Sequence, residues 1–253
     1  MHWTHFNEWC ARHSTRGQIR GGNGVQAAWS HTLLIVNNLT TPSGAIHNAA
    51  DLKARAEAAV ADASPYRLPW MFGIPSPWLP LGVDAANAVL AEIGMHHMMD
   101  MTVMDCEAGL KEPLRPLPED VTVQRIESRA HGFDALNLNS RAYGMPVEVT
   151  NDVLDAGTYF SDPENEFGFV VYNGEGVPVS TATAIDWGNW IYIAAVATDA
   201  GHRQKGYAEV AIRAALAAAP KRPTALDASP MGQPLYAQMG YQPCFKWNFW
   251  VAG

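Results

Sequence analysis

Residues 190–219, WIYIAAVATDAGHRQKGYAEVAIRAALAAA, restrict the possible folds of this chain more than any other stretch. Residues 191–197 form an apolar run too short for a free-standing helix and rich in β-branched and aromatic side chains, which predicts a buried strand. A polar break, 198–205, leads to Gly206-Tyr207-Ala208 and an alanine-rich segment. There Ala208, Ile212, Ala215, Leu216 and Ala219 share one face at helical spacing, Glu209 and Arg213 stand four apart as an ion pair, and Pro220 closes the helix. A strand, a glycine loop and a helix N-terminus make an anion site, because first-turn N–H groups lack intrahelical partners and the helix dipole adds partial positive charge. Gly206 and Ala208 keep the loop narrow enough for a pyrophosphate to reach the main chain, and Arg203 and Lys205 add charge beside it. Taken alone, the stretch is also compatible with an ordinary strand–helix turn.

Composition removes several classes of function. A net charge of −8 with no basic run argues against a nucleic-acid partner. The three cysteines, Cys10, Cys106 and Cys244, are far apart in no metal-binding spacing, so neither a disulfide framework nor a metal site is expected, and a reducing cytoplasm fits best. Cys244 reads as core rather than as a nucleophile. The N-terminus has no signal-type apolar core, and residues 33–36 are far too short to span a bilayer, so no membrane association is expected. His96-His97 lie on a predicted strand, where neighbours point to opposite faces, and read as ordinary strand residues rather than ligands.

Along the chain, residues 6–13 read as a short helix, 17–24 as a glycine-rich loop, 30–38 as a strand and 51–63 as a helix with Asp51 as N-cap or first-turn acid. Strand 67–74, helix 84–93 and a methionine-rich strand 95–107 follow. Residues 111–120, KEPLRPLPED, are the best linker, which divides the chain into 1–112, a linker 113–120, and 121–253. Beyond it come strand 121–126, a helix 129–142 capped by Ser128, a helix 149–156, and strands 167–172 and 177–186 joined by a tight Asn173-Gly174 turn. Residues 224–227 read as a short strand, 229–240 as a loop and short helix, and 241–251 as a last aromatic strand.

The order of elements after the linker, together with Arg203, Gly206 and Ala208 in a Q/R-x-x-G-x-G/A loop, resembles the GNAT (GCN5-related N-acetyltransferase) superfamily. A second family signature, N-x-x-A-x-x-L-Y-x-x-x-G-F, is matched in spacing by Ser229, Gly232, Leu235, Tyr236, Gly240 and Tyr241, with Ser for Asn, Gly for Ala and Tyr for Phe. The resemblance implies an α+β GNAT fold, a mixed central sheet flanked by helices. Residues 88–95 and 67–74 resemble a family helix and its preceding strand. Residues 1–112 have no phosphate loop of their own, so this half looks like a degenerate GNAT-like domain in tandem, or else a different α+β extension.

The resemblance further implies an acetyl-CoA-dependent N-acetyltransferase with acetyl-CoA as co-substrate and no metal. Attack by a primary amine would be direct, through a tetrahedral intermediate. Val196, Ala197 and Thr198 would pair with the pantetheine arm, Arg203, Gln204, Lys205, Gly206, Tyr207 and Ala208 would hold the pyrophosphate, and Ser229 would contact the arm. Tyr236 would be the general acid, since a departing thiolate needs a proton and a phenol of pKa near 10 supplies one. For the general base the sequence offers Glu148, Asp152, Asp186 and Tyr192, with Glu148 the first choice. The acceptor, a small-molecule or peptide amine, stays open, as does monomer against homodimer. The rival reading is a non-catalytic acyl-CoA-binding or sensor protein of the same fold.

Overall fold

The computed structural model describes residues 2–114 and 116–253; Met1, assigned to the N-terminal half, and Arg115, assigned to the linker, lie outside the described residues. The fold is α+β, with sheet strands flanked by helices. The chain packs as two units, Met1–Val103 with Cys244–Gly253, and Met104–Pro243. In chain order the elements are α1 (His2–His13), β1 (Gln18–Gly22), β2 (Val25–Trp29), β3 (Asn38–Pro42), α2 (Ala49–Ala63), β4 (Met71–Pro75), α3 (Val83–Ala91) and β5 (Met95–Cys106). They continue with β6 (Val121–Arg125), α4 (Arg129–Ala142), α5 (Val147–Asp155), β7 (Glu166–Asn173), β8 (Pro178–Asp186), β9 (Ile191–Thr198), α6 (Tyr207–Ala218), β10 (Thr224–Ala228), α7 (Gln233–Met239) and β11 (Gln242–Ala252).

In the first unit the strands run in the order β1-β2-β3-β4-β11-β5. The glycine-rich stretch expected as a loop is a hairpin. Asn23 (φ 51°) and Gly24 (φ 77°) take the two left-handed positions between β1 and β2, the conformation that matches the twist of a two-residue connection. The strand expected over 30–38 is not formed. His31 (φ 53°) leaves the extended region, a 3₁₀ turn covers Ile35–Asn37, and pairing starts only at Asn38. The buried Asn38 amide explains the switch, because its Nδ2 donates to the carbonyls of Thr32 and Pro69, both at 2.8 Å.

Helix α2 buries Leu52, Ala56, Ala59 and Ala63, the stripe expected from its spacing. Its N-cap is Asn48, whose Oδ1 accepts from Asp51 N at 3.0 Å. Asp51 is the first-turn acid instead, and its Oδ2 accepts from His47 N at 2.8 Å. Removing the cap acceptor orphans a helix N–H, so Asn48→Ala is expected to lower stability by about 1 kcal/mol in urea denaturation, with an unchanged m-value.

Strand β11 pairs antiparallel with β4, from Trp247 opposite Pro75 to Trp250 opposite Phe72. From Cys244 onward it therefore belongs to the first unit, although the sequence reading ran the second half through to residue 253. Its large apolar side chains explain this: Trp247, Phe249 and Trp250 are all fully buried. Gly73 makes room for them, since a Cβ there would lie 2.8 Å from the Phe249 ring. Cys244, expected in the core, is exposed at the start of this segment.

The second unit has the strand order β10-β9-β8-β7-β6, with β10 parallel to β9 and the other neighbours antiparallel. One face is covered by α6, which buries Ala211, Ile212 and Ala215 with Ile191, Ile193 and Leu226. On the other face Ala135 and Leu138 of α4 pack with Val170 and Ala197, and α5 is tied to α4 by the 2.8 Å Ser140–Thr150 hydroxyl bond. Ser128 caps α4 as expected, accepting from His131 N at 3.2 Å. The turn expected at Asn173-Gly174 is longer. Asn173 Oδ1 accepts from Glu175 N and Val177 N, at 3.1 and 2.9 Å, and the left-handed residue is Gly176.

Candidate functional site

The site is built where β9 outlasts its neighbour. The parallel ladder pairs Ile191 with Thr224, Tyr192 with Ala225 and Ile193 with Leu226, and then stops, while β9 continues to Thr198. Val196, Ala197 and Thr198 lie on this continuation, so among the described residues β10 gives them no ladder partner. On the opposite side β9 stays paired to β8, but with one extra residue. Thr181 faces Ala197 and Thr183 faces Ala194, which makes a bulge with Ala195 at φ 51°. Asn139 of α4 holds the bulge by donating Nδ2 to the Ala195 carbonyl at 3.1 Å. Nothing in the alternation of IYIAAVAT announces a bulge, and the sequence reading contains neither it nor Asn139.

At the end of β9 the chain enters the loop anticipated as a pyrophosphate cradle. Asp199 organises its start, accepting from Gly201 N (3.1 Å) and pairing with His202 Nδ1 (2.9 Å) and Arg141 (2.6 Å). These partners, His202 first, hold the Asp199 carboxyl below the usual range. Arg203 Nε reaches back to the Thr198 carbonyl at 3.3 Å and Lys205 Nζ to the Gly201 carbonyl at 3.2 Å. Gln204 (φ 62°) and Gly206 (φ 88°) are both left-handed, and α6 begins at Tyr207 with an N-cap, Gly206, that offers no side-chain acceptor to the first N–H groups. Open amides at a helix start, next to alternating backbone hands, form an anion-binding concavity. The loop thus joins Arg203–Ala208 directly to the unpaired end of β9.

Beyond β10, Ser229 starts the turn into α7: its carbonyl accepts from Gly232 N (2.9 Å) and Gln233 N (3.1 Å), and its Oγ from Gly232 N at 3.3 Å. Tyr236 sits in the same core cluster as Ile193 and Leu226, against which Val196 and Tyr207 also pack. Its ring is buried and edge-on to Tyr241 at 5.9 Å. Gly232 presses against it, and a Cβ there would come within 2.9 Å of Tyr236 Cε2. That close approach accounts for glycine where the family signature has alanine. Burial pushes the Tyr236 phenol above its ordinary range, with smaller contributions from the Tyr143 and Tyr241 phenols, and no hydrogen bond to a described residue shifts it. The group is therefore protonated at neutral pH, as a proton donor must be.

The expected bases separate. Glu148 is exposed in the first turn of α5. Asp186 is engaged at the end of β8 by Arg222 and by Gly188 N at 2.7 Å. Asp152 is half-buried on α5. Tyr192 donates its hydroxyl to Asp227 Oδ2 at 2.6 Å. In sequence, Asp227 is only the end of a short strand. A cavity of about 670 Å³, lined among others by Arg125, Arg129, Phe160 and Glu166, opens at the other end of β7. Glu166 is buried there with its pKa raised by burial to about 7, and it accepts from Phe160 N at 2.8 Å, which makes it a clamp for the 160–162 loop. Among the described residues no group of His, Cys, Asp and Glu forms a metal cluster, and no helix is long and apolar enough to cross a membrane.

Residues 134–241 match the model of the Acetyltransferase (GNAT) family. No curated protein matches the chain. Among solved structures, a GCN5-related N-acetyltransferase from Kribbella flavida superposes with a TM-score of 0.69 at 15% identity, covering 99% of this chain and 95% of that one. A second GCN5-related N-acetyltransferase, from Sphaerobacter thermophilus, gives 0.61 at 14% identity over 90% of this chain and 76% of its own. A tandem GNAT protein from the clavulanic acid biosynthesis pathway gives 0.58 at 14% identity, over 94% and 84%. The fold is shared over nearly the whole chain length, and residues 134–241 constitute a GNAT acetyltransferase-family domain.

Proposed function

We propose that the protein is an acetyl-CoA-dependent N-acyltransferase that modifies a primary amine, with the unit Met104–Pro243 as the acetyltransferase half and the unit Met1–Val103 with Cys244–Gly253 as a degenerate GNAT-like half. The observation that carries this reading is the succession of two features: the end of β9, unpaired on its β10 side, leads through the Ala200–His202 turn into the left-handed Gln204–Gly206 loop and the open start of α6. Main-chain groups of Val196, Ala197 and Thr198 pair with the pantetheine arm, and those of Arg203, Gln204, Lys205, Gly206, Tyr207 and Ala208 receive the pyrophosphate. Ser229, in the turn beyond β10, contacts the arm. The β9 N–H groups polarise the thioester carbonyl, and Tyr236 gives its proton to the departing sulfur. The neutral phenol and an acceptor-side carboxylate divide the acid and base work, and Glu148 on α5 is the first choice from sequence for that carboxylate.

Gly206 tests the cradle. Its φ of 88° is unfavourable for any side chain, and a Cβ would meet Pro118 Cδ at 3.1 Å. Forcing the loop into another conformation costs about 1–3 kcal/mol. Gly206→Val is therefore expected to raise the acetyl-CoA Kd by roughly tenfold or more in calorimetric titration, and an unchanged Kd contradicts the assignment of the loop. The sensor reading predicts equally tight binding of acetyl-CoA by the wild type but no thiol release with any amine.

A further inference from the structure

Asp227 is the first residue of β10 beyond the last paired position, Leu226 opposite Ile193, so it stands at the mouth of the opening between β9 and β10. In register it shares a sheet face with Ala225 and Tyr192, opposite the face on which Leu226, Ala228 and α6 pack. One carboxylate oxygen, Oδ2, accepts the Tyr192 hydroxyl at 2.6 Å. The other, Oδ1, is buried and has no hydrogen-bond partner among the described residues. Tyr192 is itself held in place, stacked on Trp187 at 4.2 Å with the rings 12° apart. A fixed carboxylate with one satisfied and one idle oxygen is costly unless the idle oxygen has work to do.

We propose that Asp227 is the proton acceptor for the attacking amine, oriented by Tyr192. This rests on the acyltransfer reading above and replaces Glu148 in that role. In the balanced step, Asp227 Oδ1 takes one proton from the acceptor's ammonium group. The freed nitrogen lone pair forms the C–N bond to the acyl carbon and the C–S bond breaks. Tyr236 gives its proton to the sulfur, and the remaining surplus proton on nitrogen restores the Tyr236 phenol through solvent. One proton, held by Asp227, is released to water at the end of the cycle.

The electrostatics agree with that role. Burial raises the Asp227 pKa to about 7, and the Tyr192 hydrogen bond opposes this. Tyr192, from β9, is the ionisable group among the described residues that acts on it. A base poised near neutrality is matched to accepting and then releasing a proton at physiological pH. The sign follows: the competent form is the carboxylate, so kcat at saturating substrate rises with pH through about 7 and levels off above it.

The test is the pH profile of kcat in a thiol-release assay of the full chain, with acetyl-CoA and a panel of primary amines (an aminoglycoside, a polyamine, a free amino acid and a peptide with a free N-terminus). Asp227→Asn is expected to lower kcat about 100-fold or more and to abolish the limb near pH 7, while calorimetric acetyl-CoA affinity stays within twofold. Tyr192→Phe removes the bond that stabilises the carboxylate and is expected to move the limb to higher pH with a smaller loss of rate. Retention of rate and limb in Asp227→Asn, with their loss in Glu148→Gln, overturns the assignment while leaving the acyltransfer reading intact. Acetyl-CoA binding without turnover of any amine by the wild type overturns both.

Discussion

Tyr236→Phe is expected to reduce kcat for thiol release by about 100-fold, with acetyl-CoA affinity and stability nearly unchanged. The substitution removes one oxygen from a buried side chain and keeps the ring that packs against Gly232 and Tyr241. Because the hydroxyl has no hydrogen bond to a described residue shaping its ionisation, its loss orphans no partner in the core. A tyrosine that only packs would show the reverse pattern, with no effect on turnover. The measurement is paired: steady-state thiol release for kcat, and calorimetric titration with acetyl-CoA for Kd. Loss of affinity equal to the loss of rate would make Tyr236 a binding residue rather than a proton donor.

The largest expected effect on stability is in the first unit. Trp250 is fully buried between α3 and the sheet, donates Nε1 to Asn87 Oδ1 at 2.8 Å and meets the His97 ring edge-on at 5.5 Å. Trp250→Ala opens a cavity and leaves the Asn87 oxygen unpaired, at an expected cost of about 3–5 kcal/mol. Urea denaturation followed by far-ultraviolet circular dichroism reads this as a lowered midpoint. A change below about 1 kcal/mol would contradict the account of β11 as a core strand of the first unit. Since β11 pairs with β4 far upstream, the first unit depends on a non-local pairing that slows the search.

The helices and the motif-bearing loop were the legible parts. Ser128 followed by an apolar period marked α4 to the residue, and Pro220 and the alanine face marked α6 to within a residue of each end. The Ser229–Tyr241 signature pointed to the family because its spacing follows a turn, a helix and a left-handed Gly240 that the structure reproduces in order. What was not legible depended on partners distant in sequence. The aromatic alternation of 247–250 identifies a strand but not the sheet it joins; that is decided by Gly73, 176 residues earlier than Phe249, which leaves room for the ring. Residues 30–38 read as a strand, yet Asn38 donates to carbonyl acceptors at Thr32 and Pro69 that no local pattern reveals. Asn23-Gly24 is a hairpin-turn pair, but the glycines around it make the stretch read as a loop, and the β1–β2 hairpin is not expected from sequence.

The candidate site divides in the same way. The cradle, Arg203–Ala208, and Tyr236 follow from contiguous motifs. Asp227 does not, because its character comes from burial, from Tyr192 thirty-five residues earlier, and from the point at which the β9–β10 ladder ends. TALD on its own is a strand with a polar end. The bulge at Ala195 is equally silent, since an alanine at positive φ is set by Asn139 and by the register of β8 rather than by its own preference.

Acyl transfer from acetyl-CoA to an amine at the opening between β9 and β10 is the proposed reaction. Thiol release by the wild-type chain in the presence of acetyl-CoA and the amine panel tests it most directly. The account predicts amine-dependent release of one thiol per amide formed with at least one acceptor. Saturable acetyl-CoA binding with no amine-dependent thiol release would contradict it and leave a binding protein of the same fold.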